Sequence, residues 1–148
     1  MVEIVEVKSK RDIKEFIEFP LCMYRKCPYF VPPLYGDEKK LIASGGKTEQ
    51  ADAVFYLARR DGKTVGRIQG IIQKQYNALH SEKRVRFTRF DSIDDEEVSS
   101  ALFAAVENWA RERGMDTACG PLGYSDLDRE GLLVEGFEEL STFEEQYN

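Results

Sequence analysis

Residues 90–115, FDSIDDEEVSSALFAAVENWARERGM, join the end of one element to the start of another. Val98, Ala101, Leu102, Ala105, Val106 and Trp109 recur at the helical interval, which predicts an amphipathic helix over 95–113. Gly114 stops it, preceded by Arg111 and Arg113, whose charges suit the negative end of a helix dipole. At its front stand Asp94, Asp95, Glu96 and Glu97, with no glycine. Acids in a first turn complement the dipole and cap backbone amides. The same acids repel a phosphate seeking those amides. The joint reads as a helix start in preference to a phosphate-binding turn.

Before the joint, RVRFTRFDSI (84–93) reads as a strand, the third of a meander. The first two strands lie in AVFYLARRDGKTVGRIQGIIQKQ (53–75), around Asp61-Gly62, the pair that suits a tight type I′ turn. Gly66 and Gly70 share a face and permit close packing there. YNALHSEK (76–83) is a connection. Further back, EIVEVKS (3–9) alternates like a short strand, and Ser9 with Asp12 forms a near capping box. Ile13, Phe16, Ile17, Leu21 and Tyr24 then define a helix face, with a kink or break expected at Pro20. Pro28, Pro32 and Pro33 make a stiff connection into a short helix near Asp37, and SGGKTEQAD (44–52) is a loop. After the joint, DTACGPL (116–122) predicts a short buried strand, SDLDREGLLVEGF (125–137) a short helix and EELSTFEEQYN (138–148) a last strand. The order predicts a mixed-sheet α/β (α+β) domain over 1–148.

Composition narrows the function. A chain of 148 residues with 42% hydrophobic and 32% charged residues suits one globular core. No apolar run reaches membrane-spanning length, and the N-terminus lacks a secretory pattern. Cys22, Cys27 and Cys119 form no CxxC, which fits reduced thiols in the cytoplasm. The net charge of −6 is uneven: residues 59–89 hold nine basic and two acidic residues, residues 90–148 three and sixteen. Mutual pairing of the two regions is the simplest reading. A nucleic-acid surface of Arg59, Arg60, Arg67, Lys74, Arg84, Arg86 and Arg89 with Tyr56 and Tyr76 is disfavoured by the overall acidity. His80 stands alone, without partners for a triad or a histidine metal site. Asp126, Asp128 and Glu130 lack the glycine and closing glutamate of a calcium loop, so no metal is expected.

The element order resembles the GNAT acyltransferase superfamily. CPYFVPPLYGDEKKLI, GKTVGRIQGIIQ, FDSIDDEEV, RERGMDTACGPLGYSDLDREGLLVEGF and FEEQYN resemble the N-terminal part of larger bacterial GNAT-like proteins, over nearly the whole chain. Against that subgroup the chain looks shortened, lacking the terminal hairpin. The resemblance implies acyl transfer from acetyl-CoA or another acyl-CoA to a small-molecule amine. It implies two parallel strands that splay, one ending near Ser92 and one at 116–120. The pyrophosphate would then meet backbone in the turn 93–98, at Ile93, Glu96 and Glu97, and just before it at Asp91 and Ser92. This sequence departs from the family there, because the family's spaced glycines are replaced by acids. It departs again at Leu132, which stands where many members carry a tyrosine acid four residues before Gly136-Phe137. Tyr124 could reach the same space as general acid, or serve as an amphipathic surface tyrosine. Glu135 and Asp91 are the acids best placed as general base. Cys119 is read as buried packing. The two functional readings are an acyl-CoA-dependent N-acyltransferase of unknown acceptor and a non-catalytic GNAT-like module that has lost the pyrophosphate loop. An exposed sheet edge predicts a homodimer.

Overall fold

Asp61 and Gly62 both take positive φ, 52° and 75°, and turn the chain between β2 (Ala51–Arg60) and β3 (Lys63–Gln73) as a type I′ hairpin requires. The structure, a computed structural model, describes residues 1–125 and 127–140. Around the hairpin lie β1 (Glu3–Glu6), α1 (Lys10–Met23), α2 (Tyr35–Ala43), α3 (Lys74–His80), β4 (Arg84–Ser92), α4 (Glu96–Arg111) and β5 (Thr117–Cys119). The sheet runs β1-β2-β3-β4-β5, antiparallel except for the parallel β4–β5 pair.

Helices cover both faces, so β2 and β3 are buried or half-buried along most of their length. Val54, Ile68, Ile72 and Val85 pack beneath Val98, Leu102, Val106 and Trp109 of α4. Phe55, Leu57 and Ile71 pack beneath Phe16, Ile17 and Ile42 of α1 and α2. Gly66 and Gly70 face α4, as their shared face suggests. A Cβ on Gly66 would stand 2.8 Å from Leu102 Cδ1.

Four local expectations are corrected. α1 is one helix through Pro20. Proline cannot donate to the Phe16 carbonyl, and Arg67 Nη1 donates to it instead, at 2.9 Å. Residues 74–80, expected as a connection, form α3, closed by Ser81 in the left-handed region. The strand at 117–119 is three residues long and exposed to half-buried, so Cys119 is half-buried and not a core residue. The described residues of 125–137 form no helix. There the Asp128 carboxylate accepts from the Tyr124 and Ser125 amides at 2.7 and 3.2 Å, a local bond that competes with helix formation. The expected strand 138–148 lies mostly outside the described residues, and 138–140 are not strand. The arginines of the meander are paired: Arg59 with Asp12 and Glu15, Arg60 with Asp95 and Glu97, Arg67 with Asp91 and Arg89 with Glu38.

Candidate active site

β4 and β5 pair only over Arg84–Arg86 and Thr117–Cys119. One more bond, Leu122 N–H to the Phe87 carbonyl at 2.8 Å, closes the pairing. A side chain at Gly120 would overlap that same carbonyl, so glycine is required where the strands part. Beyond it β4 continues to Ser92 while the segment after β5 turns away through Tyr124. The distal edge of β4 is thereby left without a strand partner among the described residues.

A bulge sets what that edge carries. Arg67 faces Asp91 and Gln69 faces Thr88, so β4 holds one residue more than β3 across this interval. Arg89 absorbs it at φ 48°, an uncommon conformation for a side-chain-bearing residue. Its guanidinium is held by Glu38 at 2.6 and 2.9 Å and by Gln69 Oε1 at 2.8 Å. Burial pushes the Glu38 carboxyl up, yet the Arg89 bonds and charge outweigh this and hold it below its ordinary value. The bulge breaks the strict alternation. Phe87 and Phe90, three apart, both pack on Phe103 of α4. Asp91 therefore turns to the α1 side.

There Asp91 Oδ2 accepts from Arg67 Nε at 2.7 Å and Oδ1 from the Tyr24 hydroxyl at 2.9 Å. The Arg67 and Asp91 side chains are only 5% and 4% exposed. The Arg67 guanidinium also lies over the Phe16 ring, 4.9 Å from its centroid. Burial lowers the Arg67 pKa against the opposing pull of Asp91. Burial, then the Asp91 charge, pushes the Tyr24 phenol well above its ordinary value, so it stays protonated as a donor. A cavity of about 420 Å³ opens over this trio. Phe90 supplies one wall, Tyr29, Phe30 and Val31 another, and Leu132, Leu133, Phe137 and Leu140 the third, with Arg129 and Glu135 beside them.

The expected site residues divide. Asp91 and Glu135 line this cavity. Both Asp91 oxygens are engaged, one by Arg67 and one by Tyr24. Tyr124 does not line the cavity. Its hydroxyl donates to the Gly46 carbonyl at 2.6 Å and accepts from Gln69 Nε2 at 2.9 Å, and burial pushes its pKa up to about 12. In the turn 93–98, Asp95 Oδ1 accepts from the Glu97 and Val98 amides at 2.9 and 3.3 Å. The Ile93 amide is bound to the Val65 carbonyl at 3.0 Å. The Ser92 hydroxyl bonds the Ile93 carbonyl at 2.6 Å, and Glu96 opens the first turn of α4. The acids of the joint thus include the helix cap, Asp95, its charge matched by Arg60 at 2.7 Å. Tyr24 and the pairing of Arg67 escaped sequence reasoning. The available signals were an arginine on an inward strand position and a helix proline that frees a carbonyl.

No protein-family model matches the chain. It is 33% identical over 131 residues to Protein YghO of Escherichia coli, covering 88% of this chain and 34% of that one. It is 32% identical over 141 residues to the bacterial ceramide synthase of Caulobacter vibrioides, covering 93% and 36%. The chain therefore spans about a third of the length of these curated relatives. Among solved structures, a tandem GNAT protein of clavulanic acid biosynthesis superposes with a TM-score of 0.62 at 14% identity, covering 78% of this chain and 34% of that one. The fold is that of the GNAT acetyltransferases. AAC(6')-Iy, in complex with a CoA-linked bisubstrate analogue, matches with a TM-score of 0.61 at 15% identity, covering 85% and 82%. A metagenomic aminoglycoside acetyltransferase in complex with sisomicin matches at 0.59 and 15%, covering 80% and 75%.

Proposed function

We propose that this GNAT-fold chain takes part in acyl-CoA-dependent N-acyl transfer to an amine carried on a long apolar chain. The observation that carries the reading is the cavity at the parted strands, with an ionic floor and apolar walls. Two matched structures hold acetyl-CoA and a CoA-linked analogue. One relative is named a ceramide synthase, and a ceramide is an N-acylated long-chain amino alcohol. In the reaction the amine nitrogen attacks the thioester carbonyl, a C–N bond forms and the C–S bond breaks. The amine gives up a proton and the departing thiolate gains one. Asp91, fixed by Arg67 and Tyr24, would orient the amine, and Glu135 at the cavity wall is the candidate to accept its proton. The three unpaired cysteines fit a cytoplasmic setting, and the exposed edge of β5 fits pairing of two copies, which light scattering would detect.

A second reading, a binding module without catalysis, is favoured by the turn, where Asp95 and Val65 already hold three amides. Titration calorimetry with acetyl-CoA and with a long-chain acyl-CoA separates the two. The enzyme reading expects affinity in the micromolar range, about −8 kcal/mol, and thiol release on adding a long-chain amino alcohol. Absence of binding to either thioester refutes it in favour of the module.

A further inference from the structure

We propose that the α1–α2 connection is a membrane-docking surface for anionic bilayers. In residues 19–35 there is no acid, although the chain carries 27 acidic residues and a net charge of −6. Arg25 and Lys26 are exposed on this stretch. So are Met23, Tyr29, Val31, Leu34 and Tyr35, with Leu34 at 77% and Val31 at 52%. Five exposed large side chains, two of them tyrosines, beside two cations within thirteen residues is the composition that seats at a headgroup interface. Three prolines stiffen the segment, which limits the ordering cost of binding.

The same segment forms one wall of the cavity, through Tyr29, Phe30 and Val31. A bilayer against it would lie at the cavity mouth, where an apolar chain enters without crossing water. The opposite wall carries Glu135 and Glu139 beside Arg129, an acidic balance that favours the α1–α2 side for contact with anionic lipid. No helix among the described residues is long and apolar enough to cross a membrane, so the contact is peripheral. Coulomb attraction selects a bilayer over a second copy of this chain, because a surface meeting its own like-charged image gains nothing from Arg25 and Lys26.

The test is co-sedimentation of the whole chain with phosphatidylcholine vesicles, with and without phosphatidylserine, in the absence of acyl-CoA. Sedimentation is expected with phosphatidylserine and weakly without it. Arg25→Glu with Lys26→Glu should weaken binding by about tenfold or more. Val31→Asp with Leu34→Asp should also abolish it, and Leu34 is the N-cap position of α2, where an aspartate suits the helix. Equal sedimentation of the charge-reversed variant, no sedimentation of the wild type, or a dimer that these variants dissociate would overturn the proposal. Vesicle binding without affinity for acyl-CoA would sink the transferase reading alone.

Discussion

Arg67 links three features that are far apart in the chain. It satisfies the carbonyl that Pro20 leaves open in α1, neutralises Asp91 on β4 and lies on the Phe16 ring. A buried charge without its partner is costly, whereas two charges replaced together by apolar groups are not. Arg67→Ala should therefore lower stability by about 3–5 kcal/mol, read as a shifted urea midpoint. The double variant Arg67→Met/Asp91→Leu should recover part of that loss. A double variant no more stable than Arg67→Ala would show that the pair is not the source of the cost.

At the scale of elements, α4 approaches β3 closely because Gly66 and Gly70 leave room for it. A Cβ at Gly66 would meet Leu102 Cδ1 at 2.8 Å and Val98 Cγ1 at 3.0 Å, and the backbone carbonyl of Asp91 at 3.2 Å. Gly66→Ala should cost about 1–3 kcal/mol by overpacking and lower the melting temperature by about 3–10 °C. Gly70→Ala meets its nearest neighbours at 3.1 and 3.2 Å and should cost less. Equal melting temperatures for the two variants would contradict the packing account. The start of α4 belongs to the same scale. Asp95 caps it and pairs with Arg60 of β2, so the acids of the joint tie helix to hairpin.

For the whole molecule, carboxyls depressed by their hydrogen bonds and by the basic meander shape the response to acid. Hydrogen bonds from Ser9, ahead of those from Arg59, hold Asp12 well below its ordinary value despite the cost of burial. Burial raises Glu15, but Arg11, Arg59 and Thr64 outweigh it and depress the carboxyl. Arg89 does the same for Glu38. A carboxyl depressed by folding contributes fully above its unfolded pKa, about 4, and loses that contribution as pH falls through the folded value. The melting temperature should thus fall steadily below about pH 4.5. Asp12→Asn, with no proton to gain there, should show a flatter acid limb. Parallel limbs for variant and wild type would exclude Asp12 as a source of the acid response.

Several elements could be read from local pattern alone. The turn at Asp61-Gly62, the Ser9–Asp12 box, the α4 stripe and the acid cap each depend on residues a few positions apart, whose geometry is set by backbone sterics and the helical repeat. Gly66 and Gly70 announced close packing for the same reason. Pro20 misled, because the donor that rescues its helix comes from residue 67, and α3 was missed because it is only seven residues long and is closed by Ser81 in the left-handed region, where no glycine or asparagine signals an end. The site was the least legible part. Strict alternation along 84–92 places Asp91 with Phe87, on the α4 face. The bulge at Arg89, stabilised from α2 by Glu38, reverses that and brings Asp91 to Arg67 and Tyr24. A one-residue register shift moves a side chain across the sheet. Such a shift is settled by contacts between distant segments, so only the tertiary structure could decide that Asp91 lies under the cavity while Tyr124 points elsewhere.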